Sequence, residues 1–134
     1  MKFRTFLLLA LLLFVAACNQ QTVKDEHKEY LSDKGWGIKE STGVETYVLD
    51  IPDEMLSNFE ASGITFLRKN LGEEVTEYSY LLKEKDMEGH HFEALGFELD
   101  GKIIGGYGII PSWAPGTFHL DEKERLKEEQ MMKE

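Results

Sequence analysis

The sequence predicts a small α+β domain in which a mostly antiparallel β-sheet carries one or two helices on one face. Three strand patterns rich in β-branched and aromatic residues follow one another at 75–82, 90–99 and 102–110. Asp100-Gly101 joins the last two and is typical of the type I′ turn of a β-hairpin. Two helix patterns precede these strands, and no linker or internal repeat divides the chain, so we expect a single domain.

The average composition hides two different parts of the chain. Of the 134 residues 42% are hydrophobic, but 14 of these apolar residues lie within the first 17 positions. Lys2 and Arg4 are the only charges there, so the rest carries 13 basic against 25 acidic side chains, a net charge of −12. The 117 residues of this second part suit one compact domain. Their acidic balance argues against a nucleic-acid partner, which would require a basic face.

The first 17 residues follow the order of a secretory signal, with two basic residues and then an apolar run over residues 6–17. As a helix these 12 residues would reach about 18 Å, which is shorter than the ~30 Å hydrocarbon core of a bilayer. The run ends directly before Cys18, the only cysteine. This junction resembles the lipobox of bacterial lipoproteins and reads Val15-Ala16-Ala17-Cys18. The alternative is an ordinary cleaved signal that leaves Cys18 as a free thiol.

The lipobox resemblance implies a lipoprotein signal peptide at 1–17 and acylation of Cys18, with the protein held on the extracytoplasmic face of the cell membrane. A domain of net charge −12 is repelled by anionic lipid, so a covalent anchor is what would keep it there. Residues 18–21 then form a short tether to an α+β domain over 22–120. Acylation of the only cysteine would leave this domain without a disulfide or a thiol nucleophile.

The first helix is predicted over 23–34, with Thr22 as its N-cap and Gly35 as its stop. One apolar stripe recurs at helical spacing and consists of Val23, His27, Tyr30 and Leu31. Because His27 lies on this stripe, we interpret it as a packed or boundary histidine rather than a ligand.

Two short strands, 36–38 and 44–51, are predicted around a polar turn at 40–43. Pro52 and the two acidic residues after it predict the start of a second helix, which Gly63 ends. The apolar face of this helix is predicted to contain Met55, Leu56 and Phe59. Residues 64–72 contain further candidates for burial, but their pattern fits either a strand or a packed irregular segment. These candidates are Ile64, Phe66 and Leu67.

In the strand at 75–82 one face is expected to carry Thr76, Tyr78, Tyr80 and Leu82. A two-residue hairpin loop would pair Phe97 with Ile104 on one face of the sheet. The same register would place Phe92, Tyr107 and Ile109 on the other face. Residues 121–134 are expected to form a charged helical or frayed tail.

The order of several short motifs resembles an uncharacterised domain found in small lipoproteins of Gram-positive, spore-forming bacteria. The resemblance covers about residues 28–110 and rests on Gly35-Trp36, Ile51-Pro52, Gly63-Ile64, Tyr78-x-Tyr80 and Asp100-Gly101-Lys102-Ile103-Ile104-Gly105-Gly106. This domain has no established activity, so the resemblance implies a fold and a location and nothing about chemistry.

The best metal candidate lies at His90-His91-x-Glu93. Neighbouring strand residues point to opposite faces, so only His91 and Glu93 would share one face. Two ligands do not make a site, and we expect no metal there. His119 stands alone in a predicted loop.

The glycines at 105, 106 and 108 sit inside a predicted strand and lack the lysine of a phosphate loop. Strand glycines usually mark a bulge or a close crossing of another element. Together with the loop of Trp113 they would form one wall of a groove, and the alternative is that Trp113 and Phe118 fasten the tail to the sheet. The predicted interaction surface is therefore Gly105, Gly106, Tyr107 and Trp113.

No nucleophile motif of a serine hydrolase occurs in the sequence, and no cofactor motif does either. We therefore expect a non-enzymatic binding or protein-interaction module whose acidic surface favours cationic or protein partners of the cell envelope. The alternative is a lipoprotein that binds a metal or small molecule on the sheet face near His91 and Glu93.

Overall fold

A computed structural model describes residues 22–134 and confirms the small α+β fold with its antiparallel sheet. The signal peptide, the tether and Cys18 lie outside the described residues. Five strands pair antiparallel in the order in which they occur along the chain. The strands are β1 (Ile38–Val48), β2 (Glu74–Lys85), β3 (His91–Leu99), β4 (Lys102–Ile109) and β5 (Thr117–Phe118). The helices are α1 (Asp25–Asp33), α2 (Asp53–Ala61), α3 (Phe66–Lys69) and α4 (Lys123–Glu128), and a 3-10 turn spans Leu120–Glu122.

Helix α1 lies across the sheet and begins later than predicted. Its N-cap is Lys24, whose side chain makes no capping bond, so the prediction of Thr22 as the cap is wrong. Asp25 and Glu26 occupy the first turn, where their charges favour the positive end of the helix dipole. Gly35 has φ +88°, a conformation that suits glycine, and it ends the helix as predicted.

Strand β1 is a single edge strand, and the predicted polar turn at 40–43 is wrong. The strand runs through these residues and adjusts with two register shifts against β2, at Ile38/Glu40 and at Ser41/Gly43. On an edge strand polar residues can face water, so a polar stretch does not have to be a turn.

The connection from β1 to β2 folds into two helices. In α2 Leu56 is buried and Phe59 packs against the core, whereas Met55 is 52% exposed, so the prediction of Met55 on the apolar face is wrong. The segment whose structure the sequence left open contains the short helix α3. Ile64 and Leu67 in that segment are buried, as predicted.

The β3–β4 hairpin has the predicted turn but a different register. Asp100 and Gly101 have φ 50° and 77°, as a type I′ turn requires. A bulge between Phe97 and Glu98 then shifts the pairing by one, so Phe97 faces Gly105. The prediction that Tyr107 shares a face with Phe92 is therefore wrong. Tyr107 instead stacks on Phe97 at 5.9 Å on the opposite face.

Apolar side chains cover both faces of the sheet. One layer combines Leu31 of α1 with residues of β2, β3 and β5 and with Leu126 and Met132 of the C-terminal segment. The other layer packs α2 and α3 against Val75 and Phe97. The segment 121–134 contains α4 and contributes to the first layer, since Leu126 and Met132 are buried.

Candidate functional site

The candidate interaction site is a groove beside the open edge of β4. Strand β5 pairs with β4 only at Gly108 and Ile109. Within residues 22–134 the preceding part of β4 has no strand neighbour on that side. A groove of about 180 Å³ lies there and is lined by residues 63–66, 104–106 and 119–121 together with Tyr30 and Lys34 of α1.

The main-chain groups of β4 alternate between the side of β3 and the side of β5. The N–H of Ile110 donates to the carbonyl of Gly116 at 2.8 Å, on the side of β5. Because main-chain direction alternates along a strand, Gly108 and Gly106 face the same side as Ile110. An extended segment laid beside Gly106 would therefore meet main-chain hydrogen-bonding groups.

The glycines that mark this strand also allow close packing. A Cβ on Gly105 would lie 2.4 Å from the ring of Phe66, and one on Gly108 would lie 2.1 Å from the ring of Phe118. These distances are shorter than van der Waals contact, so only glycine fits. The structural interpretation of strand glycines as places of close crossing accounts for both positions.

An ion pair forms one wall of the groove. Lys34 Nζ donates to Asp121 Oδ1 at 2.6 Å. This bond holds the pKa of the Asp121 carboxyl below its usual range and raises the pKa of Lys34. His119 Nδ1 accepts from the N–H of Asp121 at 3.1 Å. The wall thus presents fixed charges of both signs beside the strand edge.

The four predicted surface residues do not form one surface. Gly105 and Gly106 line the β4 groove, whereas the side chain of Tyr107 packs against Phe59 and Phe97. Trp113 is 55% exposed and lies on a different groove, beyond β5. Phe118 is buried against Trp36 and Phe92, so of the two aromatics only Phe118 joins the core.

This second groove has a volume of about 380 Å³ and is bounded by the β2–β3 turn, the loop of Trp113 and Gln130. Its base is Asp86, a carboxylate that is 1% exposed. Asp86 accepts hydrogen bonds from Ser112 Oγ at 2.6 Å and from the N–H groups of Glu88 and His90 at 3.0 Å each. His90 Nδ1 lies 3.1 Å from Ser112 Oγ.

A buried polar network that the sequence did not reveal lies under α1. His27 and Glu98 are 2% and 4% exposed, and His27 Nε2 lies 2.9 Å from Glu98 Oε2. Tyr80 contacts the other ring nitrogen of His27. Lys24 Nζ donates to both oxygens of Glu98, at 3.2 and 3.0 Å. His27 is packed, as its place on the stripe predicted.

Electrostatics fix the protonation states of this network. Burial lowers the pKa of His27, although the carboxylate of Glu98 opposes this. Burial alone would raise the pKa of Glu98, but hydrogen bonds from Lys24 and Tyr78 outweigh it and lower that pKa. A neutral His27 therefore donates from Nε2 to the carboxylate and accepts from the hydroxyl of Tyr80. The cavity beside the network measures about 10 Å³, roughly the space of one water molecule.

The histidine and carboxylate that the sequence singled out for metal binding lie apart from both grooves. His91 Nε2 lies 3.4 Å from the ammonium of Lys39, and its Nδ1 is enclosed with no hydrogen-bond partner among the described residues. A neighbouring ammonium repels a cation. Across the described part of the chain, no three histidine, cysteine, aspartate or glutamate side chains converge as metal ligands.

Comparisons with known proteins give no relative from which a function could be inferred. No protein-family model, no curated protein and no solved structure matches this chain. Among residues 22–134 no helix is both long and apolar enough to cross a membrane.

Proposed function

We propose that this protein is a lipid-anchored, non-enzymatic interaction module that binds an extended segment of a cell-envelope protein along the open edge of β4. One observation carries the proposal: β5 covers only two residues of β4 and leaves the preceding part of the strand beside a groove. A partner strand would continue the sheet through main-chain hydrogen bonds. The side chains along the groove would select its sequence.

The two edge strands of the sheet differ in how well they could accept a strand from another chain. Strand β1 is longer than the open part of β4, but two register shifts interrupt it, and Lys39, Glu40 and Glu45 are exposed along it. Bulges and charges on an edge strand are devices that prevent pairing with other chains. In the open part of β4 only Lys102 is charged. The β4 edge is therefore the better acceptor.

The buried network supports a binding role rather than catalysis. His27, Tyr80 and Glu98 form a chain of hydrogen bonds that could move a proton, but a substrate would need room beside them. The adjoining cavity holds little more than one water. The hydrogen bonds of these groups thus connect α1 to the sheet.

The lipobox-like sequence supports the anchor. Residues 18–21 reach at most about 14 Å when extended. Helix α1 begins beside Glu98, close to the Asp100-Gly101 turn. Acylated Cys18 would hold this end of the sheet near the lipid. The acyl chains would keep the domain attached to the membrane although anionic lipid repels its negative charge.

The first test locates the partner by position. A photo-crosslinking amino acid placed at Lys102 on the β4 edge, in the full-length protein in its own membrane, should capture one partner. The matched control places the same amino acid at Lys39 on the β1 edge, which should capture none. Equal capture from both edges would contradict the proposal.

The second test asks whether the captured segment adds as a strand. The crosslinked partner segment is synthesised as a peptide and added to the full-length protein. We expect slower hydrogen exchange at the Gly106 amide and no change in β1. N-methylation of alternate amides should abolish binding in one of the two alternating sets only, because a strand pairs along one of its sides. Binding that survives both methylated peptides would rule out strand addition.

A further inference from the structure

The groove at Trp113 combines an exposed aromatic ring with carboxylates. Trp113 and Met87 are each 55% exposed, although large apolar side chains are usually buried. Both line the same groove, and they come from two different loops. Glu88 lines the same groove, and its side chain is 67% exposed.

Partly buried hydrogen bonds connect the segments around the groove. Asp86 ties its own turn through the N–H groups of Glu88 and His90, and it ties the Trp113 loop through Ser112. The N–H of Trp113 also donates to the carbonyl of Ile110 at 3.2 Å. A bridge between Asp86 and Met132 brings the C-terminal segment to the same place. Three segments thus meet around one carboxylate, and hydrogen bonds hold the loop of the exposed Trp113 to the rest of the fold.

The carboxylates around the groove favour a cation. Hydrogen bonds from Ser112 and from main-chain N–H groups hold the pKa of Asp86 below its usual range against the effect of burial. Glu88 adds a second carboxylate at the rim. Against these stands the ammonium of Lys133, which approaches Gly89 on the same turn. The remainder of the chain beyond residue 17 has a net charge of −12 and attracts cations at longer range.

We infer that this groove binds an arginine side chain presented by a protein partner. A guanidinium stacks on an indole face, and its planar fork donates two hydrogen bonds to a carboxylate such as Glu88. The flexible thioether of Met87 packs against the aliphatic stem. This site is separate from the β4 groove, and it adds a second contact to the proposed function without requiring the first.

The test uses a fluorescein-labelled peptide of alternating glycine and arginine and the full-length protein in lipid nanodiscs. Fluorescence anisotropy should show binding that weakens as salt is added. Replacing arginine by citrulline keeps the shape and removes the charge, and should weaken binding by about tenfold or more. Binding of both peptides with equal affinity would overturn the proposal.

Substitutions at Trp113 and Glu88 test whether the peptide binds in this groove. Trp113→Ala changes no charge, so a general attraction of the peptide to an acidic protein should survive it, whereas binding in this groove should fall about tenfold. Glu88→Gln should weaken binding several-fold, and Glu54→Gln on α2 is the matched control that should not. Trp113 and Glu88 are both largely exposed, so thermal unfolding of their variants should show intact folding. Equal effects of Glu88→Gln and Glu54→Gln would contradict the assignment.

Two further arms distinguish arginine binding at Trp113 from strand addition at β4 and from sugar binding. Two peptides are made, each N-methylated on one of the two alternating sets of amides; one of them cannot add as a strand at β4, and both should keep the Trp113-dependent binding. Loss of that binding would mean that the peptide reaches only the β4 edge. A neutral chito-oligosaccharide is the other arm, because sugars also stack on exposed tryptophan. Trp113-dependent binding of the sugar in place of the arginine peptide would overturn the proposal.

Discussion

At the scale of single residues, Glu98 links α1 to the sheet through His27 and Lys24. An unpaired carboxylate with 4% exposure would be strongly destabilising, and Glu98 is instead paired with His27 and Lys24. The Lys24 side chain is 46% exposed, so its bond to Glu98 also reaches solvent. The two buried groups therefore depend on each other, and the acid stability of the domain follows from their protonation.

Acid should destabilise the domain through His27. Burial lowers the pKa of His27 in the folded state below 6.5, the usual value it regains on unfolding. The unfolded chain then binds the extra proton, so this contribution is complete above about pH 6.5 and is lost as the pH falls below it. The contribution of Glu98, whose folded pKa is also lowered, is lost in more acidic solution.

Urea unfolding at a series of pH values measures this effect. The difference in unfolding free energy between wild type and His27→Gln should shrink as the pH falls from about 7 to 5. Ser57→Ala, at an exposed residue of α2 that has no ionisable side chain, is the control and should give a difference that does not change with pH. A pH-independent difference for His27→Gln would contradict the assignment of a neutral buried imidazole.

Of this network, the sequence predicted the burial of His27 but not that of Glu98. The helical stripe placed His27 in the interior, because periodicity reports which residues of one element share a face. Glu98 belongs to a strand 71 residues further along the chain, and nothing near it in sequence marks it as buried. Pairing between distant elements depends on the final packing, which local patterns do not encode.

At the scale of elements, close packing over strand glycines shapes β4. Phe118 of β5 lies over Gly108, and Phe66 of α3 lies over Gly105. The turn residues Asp100 and Gly101 predicted the hairpin correctly, because turn chemistry is local. The bulge beyond the turn was not predictable from that signal, since it depends on how neighbouring layers pack. It moved Tyr107 to the other face of the sheet.

Gly108→Ala should therefore destabilise the protein, because its methyl group would lie 2.1 Å from the ring of Phe118. Overpacking of this kind costs about 1–3 kcal/mol of unfolding free energy. In a Phe118→Ala background the same substitution should cost less, giving a measurable coupling in a double-mutant cycle. Gly43→Ala is the matched control, since no atom lies within 4 Å of its added Cβ. Additive effects of the two substitutions would show that the ring does not limit the site.

At the scale of the whole molecule, the Trp113 groove lies far from the start of α1. Helix α1 begins beside Glu98, near one end of β3, whereas the Trp113 groove adjoins the turn before the other end. Nine residues of strand separate these ends by about 30 Å. The C-terminal segment, with Leu126 and Met132 in the core, contributes Gln130 to the groove. The short charged stretch 121–134 gave no apolar stripe from which this packing could be predicted.

An anchor at Cys18 would hold the start of α1 near the membrane. The Trp113 groove, at the other end of β3, would then face away from the membrane. The acyl chains of a lipoprotein contribute about 0.8 kcal/mol per buried methylene, enough for stable attachment when two or more are present. Cys18→Ala should therefore abolish incorporation of an alkyne-labelled fatty acid and remove the mature protein from the membrane fraction. Gln20→Ala, two residues further on, should leave both unchanged. Since Cys18 is the only cysteine, thioether lipidation has no other site in the chain, and unchanged labelling of Cys18→Ala would refute the anchor.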